Sequence, residues 1–133
     1  MIAYMLDTDI CSYLMRGKSP ALEQRLQSVS TGAVCMSAIT LSELAFGVAS
    51  SPRREQTQQA FDFLLQHVQV LDYPKAAAAD YGDIRATLKA QGTLIGPNDL
   101  LIAAHARHLN LTLVSNNTRE FARVPGLKVE NWV

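Results

Sequence analysis

Ile2-Ala3-Tyr4-Met5-Leu6-Asp7-Thr8-Asp9-Ile10 opens the chain as an apolar run that stops on a carboxylate. Ile2 to Leu6 is the length of a buried strand and too short for a helix. A helix is predicted from about Ile10 to Arg16, so strand, acid and helix follow one another directly. Further along, Ala33–Met36, Val68–Leu71, Leu111–Val114 and Lys128–Asn131 read as four more strands. Between them lie helical stretches. Ser19-Pro20 reads as an N-cap with proline at N1, opening a helix to about Ser28. Thr40-Leu41-Ser42-Glu43 fits a capping box, and Ser51-Pro52 opens a helix with Ala60, Phe61, Leu64 and Leu65 on one stripe. Pro74 starts an alanine-rich helix ending near Ala90, with Gly92 as the stop. Gly96-Pro97-Asn98 begins a helix through His108 that is apolar nearly all round, so it should be buried. Thr118–Ala122 is a last short helix.

Strands alternating with helices, and lacking clean polar alternation, argue for a parallel sheet covered on both faces. The expected architecture is one α/β domain over residues 1–133, with a mostly parallel central sheet of four to five strands. Its 133 residues suffice for one core without staples. With 48% hydrophobic and 18% charged residues the composition is globular, not disordered. No apolar run approaches the roughly 20 residues that span a bilayer, and the first residues lack the pattern of a signal peptide. A soluble cytoplasmic protein with no membrane role is expected. Cys11 and Cys35 lie in apolar surroundings without a C-x-x-C pattern and are expected to be structural. Net charge is zero, so any polyanionic partner must be held by local charge or by bound cations.

In open parallel sheets, ligands sit beyond the carboxyl ends of the strands, at a topological switch point. Asp7 stands there if the first strand is central. A buried carboxylate is costly unless partnered, so a metal-ligand role is favoured over helix capping, whereas Asp9 suits capping. Glu43 is explained equally by the capping box and by a site among Ile39, Leu41, Leu44 and Phe46. Asp99 sits in the first turn of the most apolar helix, where the dipole alone favours an anion. Carboxylates gathered at one place repel one another unless a cation lies between them. Oxygen ligands select Mg²⁺ or Mn²⁺. Ser115-Asn116-Asn117-Thr118 ends the fourth strand and supplies amides and hydroxyls, or else a polar turn with a helix cap. His105 and His108 have a spacing only loosely compatible with zinc. Asp80 and Asp83 are expected on a helix surface with Arg85 and Lys89 as partners.

Met5-Leu6-Asp7-Thr8-Asp9-Ile10, Ser37 to Leu44, Gly96-Pro97-Asn98-Asp99 through Ala106, and Leu113 to Phe121 occur in that order. Together, and with Gly126-Leu127 and Glu130-Asn131-Trp132 at the close, they resemble the PIN-domain family and, within it, VapC-type toxins of bacterial toxin–antitoxin pairs. The resemblance implies an α/β/α ribonuclease with Asp7, Glu43 and Asp99 as its acidic site, in which Asp7 and Asp99 hold Mg²⁺ or Mn²⁺ and Glu43 orients or deprotonates the attacking water or ligates the ion through a water. It implies products with a 5′-phosphate and a 3′-hydroxyl, and RNA, including structured RNA such as tRNA, as substrate. Many members carry an aspartate after the fourth strand, where this chain has Asn117 (or Asn116), which bears on a second metal. A VapB-type antitoxin, a homodimer and a toxin–antitoxin hetero-oligomer are also implied. Phe46, Phe61 and Leu64 are available for such interfaces or for the core.

Other readings remain open on the residues alone. Asp7-Thr8-Asp9 matches the start of a D-x-D phosphatase signature, without the later acidic motif and lysine that chemistry needs. A catalytically weak RNA-binding module shares the same fold. A receiver-like phosphoacceptor would use an acid after the third strand, where Asp72 stands, but lacks its lysine.

Overall fold

The computed structural model describes residues 1–133. Five parallel strands, β1 (Tyr4–Leu6), β2 (Val34–Ser37), β3 (Gln69–Leu71), β4 (Thr112–Val114) and β5 (Lys128–Glu130), form one sheet in the order β3-β2-β1-β4-β5. β1 is central, flanked in register by β2 (Met5 opposite Cys35) and β4 (Met5 opposite Leu113). The chain winds outward from β1 to β3, then returns to the other side of β1 for β4 and β5. The switch point therefore lies between the carboxyl ends of β1 and β4. A receiver-like sheet has the order 2-1-3-4-5, and Asp72 follows an edge strand here, far from that switch.

Side-chain alternation along the strands splits the core between the two faces. Met5, Cys35 and Leu113 point to one side, against α5 (Ala78–Ala90), α6 (Pro97–His108) and α7 (Thr118–Phe121). Leu6, Val34, Met36 and Val114 point to the other, against α1 (Thr8–Arg16), α2 (Pro20–Ser28), α3 (Ala38–Ser50) and α4 (Arg54–His67). The two clusters hold 14 and 13 buried residues, so neither face is left to solvent. α6 is buried as its composition demands, with Ile102 to Ala106 fully enclosed, although Leu109 at its end is exposed. Cys11 and Cys35 are both buried free thiols, and burial pushes the Cys35 thiol up to about 12, which leaves it inert as a nucleophile. No helix is long and apolar enough to cross a membrane.

Several helix starts differ from the periodicity reading. α3 begins at Ala38, because β2 runs straight into it and Ser37 takes the cap, its Oγ accepting from Ile39 N at 3.1 Å. Thr40 is thus inside the helix and fully buried, and no capping box forms. α4 begins at Arg54, two residues past Pro52, with the Ser51 hydroxyl accepting from Arg53 N. Pro74 leads into a 3₁₀ turn (Lys75–Ala77) before α5 proper. Gly92, at φ 68°, does stop that helix: its N–H and that of Thr93 return to Lys89 and Leu88 carbonyls. Phe61 and Leu64 are core residues, whereas Phe46 is exposed.

Candidate active site

Asp7 leaves β1 as its N–H donates to the Val114 carbonyl at 3.0 Å, carrying the β1–β4 pairing one residue further. Its side chain is 3% exposed. One oxygen, Oδ1, accepts from Ile10 N at 2.9 Å, so Asp7 is the N-cap of α1. Capping and site position are held by one residue, not divided between Asp7 and Asp9. Asp9 instead lies exposed in the first turn, at the rim of the same recess.

Glu43, one turn and a half into α3, is released from capping duty and faces the first turns of α1 and α6. It accepts hydrogen bonds from the Thr8 hydroxyl and from Asn98 Nδ2, the latter at 3.2 Å. Asp99 arrives from the first turn of α6, behind the Gly96 cap and Pro97 at N1. Asp7, Glu43 and Asp99, from three separate elements, line one recess of about 190 Å³ with Thr8, Asp9, Asn117 and Phe121. No lysine or arginine lines it.

Asn117, not Asn116, reaches this recess. Asn116 turns away and donates to the Tyr13 hydroxyl at 3.0 Å. Asn117 does not cap α7 with its side chain; it donates that amide to Glu120. Glu120 carries no motif that marks it in the sequence as a site residue. It also accepts from Gly96 N at 3.2 Å, so it sits at the N-terminus of α6, where the dipole favours an anion. Its only sequence signal is its place one turn after Asn117 in a four-residue helix.

Burial first, and crowding of like charges second, set the protonation chemistry. Burial pushes the Asp7 carboxyl up to about 6, against hydrogen bonds from Ser115 and Ile10, with Asp9 and Glu43 adding repulsion. Asp99 is pushed up to about 7, first by burial, then by Glu120, Asp7 and Glu43. Like charges held together with no internal cation behave in this way. The donors are oxygens throughout, which suits a hard divalent ion. No three of these carboxylates are drawn into a closed ligand cage. An open oxygen set fits an ion such as Mg²⁺, which keeps much of its water.

The remaining titratable side chains are used elsewhere. His105 is buried, with Nδ1 2.8 Å from Ser37 Oγ, and burial lowers its basicity. His108 Nδ1 lies 3.0 Å from Asp80, so the two histidines do not share a metal position. Asp80 and Asp83 are partnered by Arg107 of α6, at 2.9 and 3.0 Å, not by Arg85 and Lys89. Arg85 donates to the Tyr81 hydroxyl instead.

An all-parallel sheet of this order with acids crowded at the β1–β4 switch is the arrangement of a PIN domain, and the PIN-domain family model matches residues 4–127. The chain belongs to the PIN-domain family. The tRNA(fMet)-specific endonuclease VapC of Shigella flexneri is 42% identical over 132 residues, 99% of each chain. Ribonuclease VapC2 of Haemophilus influenzae is 44% identical over the whole of both chains. Among solved structures, VapBC2 from Rickettsia felis bound to a DNA fragment from their promoter superposes with a TM-score of 0.94 at 40% identity, covering both chains completely. Matches of this length leave no room for the phosphatase or receiver readings.

Proposed function

We propose that this chain is the ribonuclease toxin of a VapBC-type pair, a divalent-metal-assisted endoribonuclease acting in the cytoplasm with Asp7, Glu43, Asp99 and Asn117 as its site. One observation carries the reading: three carboxylates, from the turn between β1 and α1, from α3 and from α6, converge on one small recess that holds no basic side chain. Asp7 and Asp99 would hold Mg²⁺ or Mn²⁺. When bound, such an ion polarises a phosphodiester oxygen and lowers the pKa of a water. Glu43, oriented by Thr8 and Asn98, takes the proton of the attacking water. Asn117 donates to Glu120, which accepts from Gly96 N at the start of α6 and so braces the turn that carries Asp99. Glu120 restores the negative charge that an amide at position 117 leaves out. Attack in line with the leaving oxygen yields a 5′-phosphate and a 3′-hydroxyl. The relative from Shigella flexneri supports structured tRNA, the initiator species among them, as the substrate class.

A VapB-type antitoxin has a matching surface. An apolar cleft of about 420 Å³ runs between α1, α2 and α4, lined by Leu14, Met15, Leu26 and the exposed Phe63. Met15 also lines the neighbouring cleft that contains Asp9 and Glu43. An extended segment seated on the apolar part therefore reaches the acidic recess and covers it, and a basic side chain there meets the carboxylates. The experiment is cleavage of bulk tRNA in Mg²⁺ or Mn²⁺, beside Asp7→Asn, Asp99→Asn and an EDTA control. Loss in all three supports the reading, and cleavage surviving in both variants overturns the site.

A further inference from the structure

Phe46 is 73% exposed, yet it stands one helical turn beyond Glu43 on α3. The ring takes no part in the core, and it stands beside a cluster of carboxylates. It forms one wall of a cleft of about 580 Å³ whose other lining residues are Thr8, Ile39, Ser42, Glu43 and Asn98. Ile39 is half-buried and supplies an apolar floor; Asn98 brings an amide, and Ser42 a hydroxyl whose proton is already given to the Ala38 carbonyl. Phe46 is the one large exposed apolar side chain in this lining. The cleft shares Thr8 and Glu43 with the acidic recess, so the two open into each other. The apolar cleft between α1, α2 and α4 is reached from the recess by a different route, past Asp9 and Met15.

We infer that this cleft is a nucleobase subsite, in which Phe46 stacks on the base of a nucleotide flanking the scissile phosphate and Asn98 reads its edge. The geometry follows from the helix: three residues rise about 4.5 Å, which sets the ring within a single nucleotide's reach of Glu43. Single-stranded or looped RNA is recognised by splaying bases onto aromatic faces and hydrogen-bonding their edges. The neutral overall charge leaves little general attraction for polyanions, so a stacking contact supplies grip that long-range charge does not. A second copy of this chain is the rival occupant, but the cleft opens directly onto the acidic recess through Thr8 and Glu43, which favours a nucleotide there.

The inference rests on the ribonuclease reading, and its test separates the two. Cut positions are first mapped on bulk tRNA with the wild-type chain. A synthetic stem-loop bearing that cut is then made with the base removed on either side of it. Phe46→Ala should raise KM about tenfold, the scale of one lost base stack, with kcat little changed, and Phe46→Trp should restore it. Base removal at one flank should cost the wild type about as much and cost Phe46→Ala almost nothing more. Unchanged KM in Phe46→Ala, or an undiminished penalty for base removal in that variant, overturns the subsite while leaving the ribonuclease intact. A loss of activity that tracks a change of mass in light scattering assigns the ring to a subunit contact and also overturns it. A wild type that cuts no tRNA brings down both.

Discussion

Nδ1 of the buried His105 lies 2.8 Å from Oγ of Ser37, tying α6 to the residue that caps α3. These two helices carry Asp99 and Glu43, so one hydrogen bond spans the scaffold beneath both carboxylates. Nε2 of His105 has no partner, and its ring meets Tyr73 edge-on at 5.4 Å between centroids. Ser37→Ala removes the cap and strands the second ring nitrogen as well. It should cost about 1–3 kcal/mol, the scale of a buried polar group left unpaired. Urea denaturation checks this; a loss below a few tenths would mean the ring finds another partner. Ser37→Thr, which keeps the hydroxyl, should recover most of the loss.

Asp7 does two jobs that substitution can separate. Asparagine caps a helix about as well as aspartate, so Asp7→Asn should keep the Ile10 hydrogen bond and, in EDTA at neutral pH, melt no lower than the wild type, since it carries no buried charge. Its cleavage rate should still fall by about 100-fold or more, since a neutral amide replaces an anionic ligand of the ion. Asp7→Ala should lose the activity and, in addition, about 1 kcal/mol of stability with the cap. Equal stability of the two variants would show that the cap is dispensable.

The acid cluster makes the metal-free chain more stable in mild acid. Asp7 near 6 and Asp99 near 7 both sit above their ordinary 3.8, so the folded state binds protons more readily than the unfolded chain. Stability therefore rises as pH falls through these values and levels off near the ordinary carboxyl range. In EDTA the chain should melt higher at about pH 5.5 than at about pH 8. Added Mn²⁺ should reverse that order, because a cation favours the charged carboxylates. Glu120→Gln should flatten the metal-free pH dependence and weaken Mn²⁺ binding measured by calorimetry. A higher melting point at pH 8 without metal would contradict the crowding.

Arg107 clamps α6 to α5. It donates to Asp80 at 2.9 Å, to Asp83 at 3.0 Å and to the Pro125 carbonyl at 3.1 Å. Burial alone would raise the Asp80 carboxyl, but Arg107 and His108 outweigh it and hold it below the usual range. Arg107→Ala should cost about 1.5–3 kcal/mol, the worth of hydrogen bonds to a charged group. Arg107→Lys should rescue only part, since an ammonium cannot reproduce the fork. The Asp80 contribution is lost as pH falls below the ordinary carboxyl range, so the wild-type advantage should narrow in acid. Equal denaturation midpoints for wild type and Arg107→Ala at neutral pH would refute the clamp.

What can be read without coordinates is what depends on neighbours along the chain. The run from Ile2 to Leu6, ending on Asp7, determined a buried central strand with an acid at its tip, because apolar length and the switch-point rule are local facts. The Gly96-Pro97 entry to a helix apolar nearly all round likewise placed Asp99 at a buried helix start. Only tertiary structure decided which side chains meet. Glu43 was equally a capping residue until β2 ran directly into α3 and Ser37 took the cap. Asn117 and Asn116 were interchangeable until Tyr13 claimed one of them. Glu120 gained its place beside Asp99 through the packing of α7 against the start of α6, a contact between residues 24 apart. Phe61 and Phe46 read alike in sequence, yet one fills the core and the other faces solvent. The reason is common to all of these: periodicity sets the face a residue occupies on its own element, while the partner opposite that face is set by how the elements pack.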